Sequence, residues 1–195
     1  MSKKSRKDHQ KELSKNLICS KVYASIMVGQ NIIRALRVVY GKLRDEKVRW
    51  VLIGTTSLAL QGLDTVVEDI DILTDRAGAF RIGELLREYE VRPVEFGRSG
   101  IFESYFGVFE IEGVSVEVMG ELKERVGDRW LSAIQKLDCP TRVEIEGMSI
   151  PVSSLREQLM AYERLGRKGD LASIKKIKEA LGRRRRGRDH KELGR

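Results

Sequence analysis

Apolar residues recur at intervals of three and four between residues 17 and 46, with Ile32, Ile33, Leu36, Val39, Tyr40 and Leu43 on one stripe. That is the helical period, so the stretch is expected to be an amphipathic helix. The pattern then changes. RWVLIG (49–54) is a short continuous apolar run, read as a buried strand, and TTSLALQG (55–62) reads as a short helix stopped by Gly62. DIDILTD (69–75) is a second strand, with Ile70, Ile72 and Leu73 expected to supply its buried face, and residues 77–90 form a helix expected to turn Phe80, Ile82, Leu85 and Leu86 inward. VRPVEF (91–96) suits a sheet edge, because Pro93 cannot donate to a central ladder. Two hairpins follow, one turning at Glu112-Gly113 and one at Glu146-Gly147. Helices over about 154–166 and 169–181 close the chain. Strands and helices do not alternate strictly, and there is no internal repeat. The expected class is α+β: a mixed β-sheet flanked by helices, with an N-terminal helix and a C-terminal helical pair.

Composition narrows this in three ways. The 195 residues suffice for one domain with a real core. No apolar stretch reaches ~18 residues, so no membrane span is expected. Cys19 and Cys139 are far apart and lack metal-ligand spacing, which suits a reducing, cytoplasmic setting. His9 and His190 fall in the charged ends, so histidine chemistry is not expected in the core.

The net charge of +8 belongs to those ends. Residues 1–15 carry six Lys/Arg against two acids, and residues 182–195 carry seven against two. The chain between them is close to neutral, with 24 basic and 25 acidic residues. The expected organisation is therefore a basic disordered tail over 1–16, an α/β core with its N-terminal helix over 17–152, packed C-terminal helices over 153–181, and a second basic tail over 182–195. The tails are read as solvated, with RNA phosphates as the partner they suit.

The chemistry is concentrated in DIDI. Alternate residues of a strand share a face, so Asp69 and Asp71 point the same way with Cα atoms ~6.8 Å apart. Two such carboxylates repel and raise each other's pKa. A divalent cation relieves that repulsion, and Mg²⁺ is commonly held by one or two carboxylates together with substrate phosphates. In GVSVEVMG, Val114, Val116 and Val118 take one face, and Ser115, Glu117 and Met119 the other. If this strand lies beside 69–73, Glu117 completes a three-acid cluster able to bind one Mg²⁺ or two. Asp69, Asp71 and Glu117 are thus both the catalytic and the metal-binding candidates. In IGTTS, Gly54 ends a strand and opens a helix, whose first amides can meet an anion. Gly54, Thr55, Thr56 and Ser57 are the candidate phosphate-binding residues.

VLIGT, thirteen residues (56–68), then DIDI, with a later acid in VSVEV, resembles the signature of nucleotidyltransferases of the polymerase β superfamily. The resemblance covers about 49–120. LREQLMAYERLGRKGDLASIKKI is similar to the C-terminal segment of the lincosamide nucleotidyltransferase and abortive-infection toxin-like branches. It implies a nucleotidyltransferase fold, an NTP such as ATP as substrate, and Arg167 or Lys168 facing the nucleotide. Thr55 stands where the family usually has Gly or Ser, and Glu117 where it usually has Asp. The Arg and Thr that precede the acid pair in the toxin-like branch are missing from DTVVE. The expected function is Mg²⁺-dependent transfer of an NMP from an NTP to a hydroxyl of a small molecule, protein or RNA, with release of pyrophosphate. The alternative is a non-catalytic nucleotide-binding regulator or antitoxin-like partner protein.

Overall fold

A computed structural model describes residues 28–192, with side chains through Arg183. The basic stretch 1–16, His9, Cys19 and the first part of the expected 17–46 helix lie outside the described residues. The remainder of that helix is α1 (Gln30–Leu43), which starts directly after Gly29 at φ 85°. It is followed by β1 (Trp50–Ile53), α2 (Gly54–Leu60), β2 (Asp69–Thr74) and α3 (Arg76–Leu85). Next come β3 (Glu90–Ser99), β4 (Phe102–Ile111), β5 (Val114–Val126) and β6 (Arg129–Ser132). The chain closes with β7 (Thr141–Ile145), β8 (Met148–Val152), α4 (Leu155–Leu165) and α5 (Leu171–Glu192).

All eight strands form one sheet in the order β3-β4-β5-β2-β1-β8-β7, with β6 paired to the far end of β5. The β2–β5 and β1–β8 pairs are parallel and the rest antiparallel, so the sheet is mixed as expected. Pro93 sits on edge strand β3. Both hairpins turn at the expected dipeptides, with Glu112 and Gly113 at φ 55° and 70° and Glu146 and Gly147 at φ 46° and 80°. Two central residues with positive φ match the right-handed twist of the strands they join.

The two faces of the sheet are covered differently. Ile70, Ile72, Val116 and Val118 pack with Phe109 under α1 and α3, in a continuous buried core. The opposite face carries Val51, Leu73 and Leu122, covered by the turn around Ala133 and Leu137. Beside them α4 and α5 pack on α2 through Leu58, Leu63, Leu155 and Ile177. Helix α4 starts with a capping box, in which the Ser154 side chain and Glu157 satisfy each other's backbone N–H, and ends at Gly166 with φ 62°.

Four expectations are corrected. Phe80 is 42 % exposed and packs at a tilt on Tyr105, with ring centres 5.6 Å apart. The inward line of α3 is taken instead by Gly78, Ala79, Ile82 and Gly83. A Cβ on Gly83 would sit 3.1 Å from Val94 Cγ2, so these small residues bring the helix close to the sheet and turn Phe80 outward. Leu73 is buried on the Asp69/Asp71 side, not on the Ile70/Ile72 side, because the sheet is covered on both faces at that end. Strand β6 was not expected. The last helix, expected to end near residue 181, runs to Glu192.

Phe109 is the largest fully buried side chain on the α1/α3 face. Phe109→Ala should cost about 3–5 kcal/mol, since the surrounding strands cannot collapse into the space. Urea unfolding checks this through a lower midpoint at an unchanged slope.

Candidate active site

The parallel β2–β5 pair sets the site. Asp71 lies directly opposite Glu117, and Asp69 opposite Ser115. With neighbouring strands ~4.8 Å apart, the three acids share one face and one short patch of sheet. This is the arrangement expected from the sequence, and it falls on the face that α1 and α3 do not cover. The patch opens into a cleft of about 520 Å³. Its floor is β5, running from Glu117 and Met119 to Leu122 and Glu124; one wall is β3 and β4, and the other is α4. The floor changes from odd to even residues because Glu121 adopts φ 52° where the β4–β5 register slips. An extra residue in one strand shifts every later side chain to the other face.

The electrostatics are those of negative charge left unneutralised. Among the described residues, no salt bridge reaches Asp69, Asp71 or Glu117. Burial, then Asp69 and Glu117, push Asp71 up to about 7, with Arg167 pulling the other way. Asp69 is raised by burial and by Glu68, and Glu117 by burial and by Asp69. Tyr162, on the α4 wall, is pushed up to about 12 by burial and by Asp170 and Asp71, so it keeps its O–H proton.

An oxygen-only donor set with uncompensated charge fits a hard divalent cation. Among the described residues no three acids stand close enough to enclose an ion by themselves. The side chains therefore share a face without converging on one point, and an ion here would complete its shell with water or phosphate oxygens.

Gly54 is required beside this pair. It has φ 68°, and a Cβ there would lie 2.0 Å from Asp71 Oδ2. The hydroxyls of Thr56 and Ser57, expected to face phosphates, are instead buried and used by the protein. Thr56 Oγ1 donates to the Asp69 carbonyl, tying α2 to the start of β2. Ser57 Oγ accepts from Gln158 Nε2 at 2.9 Å and lies against the Ser153 carbonyl at 3.4 Å, tying α2 to α4. Successive helical residues point about 100° apart, so a run of three hydroxyls cannot face one ligand. Thr55 is partly exposed at the start of α2. Of the two basic candidates, Arg167 lines the cleft, held by Asp170 at 2.7 Å with its guanidinium 5.5 Å from the Phe102 ring centre. Lys168 is exposed and does not line the cleft.

Three cleft residues escaped sequence reasoning: Gln158, Tyr162 and Arg92. Gln158 had a signal, being a polar residue on the apolar stripe of α4 with Leu155 and Ala161. Its Oε1 is buried without a hydrogen-bond partner.

A mixed sheet that sets an Asp-x-Asp strand parallel to a third acid, beside a glycine turn, defines a nucleotidyltransferase. Residues 35–192 match the family described as aminoglycoside-2''-adenylyltransferase, and the chain belongs to that family. A crystallised protein of Thermotoga maritima, inferred to be a nucleotidyltransferase, is similar at 38 % identity and TM-score 0.66, over 76 % of this chain and 92 % of that one. The fold is also that of ANT(2'')-Ia in complex with adenylyl-2''-tobramycin, with TM-score 0.52 and 11 % identity over 77 % and 89 % of the two chains. It is likewise that of the lincomycin-bound lincosamide antibiotic adenylyltransferase LnuA, with TM-score 0.50 and 16 % identity over 74 % and 94 %. No curated protein matches the chain with significance.

Two measurements check this geometry. Asp71 holds its proton more tightly folded than unfolded, so its contribution falls as pH rises from about 4 towards 7 and is flat above. Asp71→Asn should therefore raise the melting temperature at pH 8 and give little gain near pH 4. Gly54→Ala should cost at least about 1–2 kcal/mol through the left-handed backbone alone, read by urea unfolding.

Proposed function

We propose that this protein transfers a nucleoside monophosphate from an NTP, ATP being the first to test, to a hydroxyl group, with Mg²⁺ and with release of pyrophosphate. The observation that carries this is the row in which Asp71 meets Glu117 across β2 and β5, with no salt bridge to either among the described residues. Asp69, Asp71 and Glu117 would hold the metal. When bound, Mg²⁺ supplies charge neutralisation to the phosphates and acidity to an attacking hydroxyl.

The chain's own residues do the rest. The phosphates approach Asp71 past Gly54 and Thr55, where the absent Cβ lets the Asp71 carboxylate lie against the turn. Arg167 faces them from the end of α4, and Tyr162 offers a proton donor that does not ionise at physiological pH. The acceptor oxygen bonds to the α-phosphorus as the bond from that phosphorus to the pyrophosphate oxygen breaks. The acceptor's proton passes to Glu117, the carboxylate of the row that faces the open cleft. Positioning and charge complementarity account for most of the rate.

The test is pyrophosphate release from each of the four NTPs with Mg²⁺, over a panel of hydroxyl acceptors. Asp69→Asn and Asp71→Asn should lower release by roughly 100-fold or more while leaving circular dichroism unchanged. Full activity in either variant would reject the assignment. Nucleotide binding without release on any acceptor would instead point to a non-catalytic regulator.

A further inference from the structure

Ile53, Asp71, Glu117, Val108 and Arg92 are successive Cα partners across β1, β2, β5, β4 and β3. One row of the sheet thus runs from the glycine turn, through the two acids, to an arginine on the edge strand. At ~4.8 Å per strand, Arg92 stands about 10 Å beyond Glu117. It lines the cleft, with its guanidinium 5.4 Å from the Phe106 ring centre. Among the described residues it has no carboxylate partner. A stacked guanidinium is pre-organised for the paired oxygens of a phosphate or carboxylate.

The cleft continues along this row from Glu117 to Arg92, so an acceptor that reaches the acids from the open side of the row lies between the two. The other charges near that end are already engaged. Arg98 bonds back to Glu103 at 2.7 Å, and Lys123 joins the same carboxylate at 3.0 Å. Glu124, 3 % exposed on the cleft floor, is clamped between Lys136 at 3.4 Å and Arg164. Beyond Glu117, which belongs to the metal-binding row, the carboxylates lining that end are paired within the protein, whereas Arg92 has charge to spare for an anion.

We propose that the acceptor is a hydroxyl-bearing small molecule that also carries a phosphate or carboxylate, gripped by Arg92, and not a polycationic amino sugar. This rests on the nucleotidyl-transfer reading and narrows it to a substrate class.

Binding is measured by calorimetry with Mg²⁺ and an ATP analogue bridged by methylene between its α and β phosphorus atoms, so that the polyphosphate subsite is filled. The probes are glucose 6-phosphate, glycerol 3-phosphate, gluconate, uncharged glucose and tobramycin. At least one anionic probe should bind roughly tenfold or more tighter than glucose. Arg92→Ala should erase that preference, and Arg92→Lys should keep part of it; exposed Arg92 can be replaced without disturbing the core. Tobramycin should bind no better than glucose. Tighter binding of tobramycin, no binding by any of the three anions, or an anion preference that survives Arg92→Ala would each overturn the proposal. Pyrophosphate release is followed in parallel with ATP in place of the analogue. Release with tobramycin alone would sink this inference and leave nucleotidyl transfer standing. An Arg92-dependent anion preference without release on any acceptor would support the anion site and sink the transfer reading.

Discussion

The constraint on which the rest depends is like-charge repulsion held in place by a parallel strand pair. Asp71 and Glu117 are fixed opposite one another by six consecutive Cα partners between β2 and β5, with Asp69 on the same face. The buried side of those strands, with Ile70, Ile72, Val116 and Val118, is sealed against α1 and α3 and cannot slip. A one-residue shift would put the carboxylates into that core, so the same packing that makes the fold makes the site. The protein tolerates an arrangement that raises all three acids above their ordinary pKa values because hydrophobic burial on the opposite face outweighs it.

The half-covered face follows from what each element can bring to it. Gly54 lets α2 begin against Asp71, and Thr56 and Ser57 turn inward to anchor that helix, so the site is framed by structural hydrogen bonds. Helix α4 contributes Gln158, Tyr162 and, just past its end, Arg167, all reaching the cleft. Arg167 is aimed by Asp170 and by the ring of Phe102, so its direction is set before any nucleotide arrives. At the other wall Arg92 is steadied by Phe106. Cations on both walls and acids on the floor make a surface suited to substrates that carry phosphate.

What could be read from the sequence was what depends on strand alternation and turn chemistry. Asp69, Asp71 and Glu117 were legible because a period of two assigns faces without knowledge of neighbours, and both hairpin turns because Glu-Gly interrupts alternating runs. Leu73 was misplaced because its apolar side chain was grouped with Ile70 and Ile72, whereas the period of two sets it beside Asp69 and Asp71, on a face that is also covered at that end. Phe80 was misplaced because apolarity alone missed the line of small residues that sets α3's closeness. Arg92 left no trace, since two register shifts in β3, on either side of it, decide which side it faces. Thr56 and Ser57 illustrate a helical limit: composition suggested a ligand, and geometry gave them to the scaffold.

The order of the chain adds a final consequence. The acids, the glycine turn and Arg92 all come from the first 117 residues, but β8, which pairs with β1, and the α4 wall come only after residue 148. During synthesis the ribosome therefore delivers the whole acidic patch while one side of it is still missing. A chain truncated before Leu155 would present those carboxylates to open water, with no enclosure in which to discriminate among solutes. Enclosure of the acids thus comes later in translation than the acids themselves.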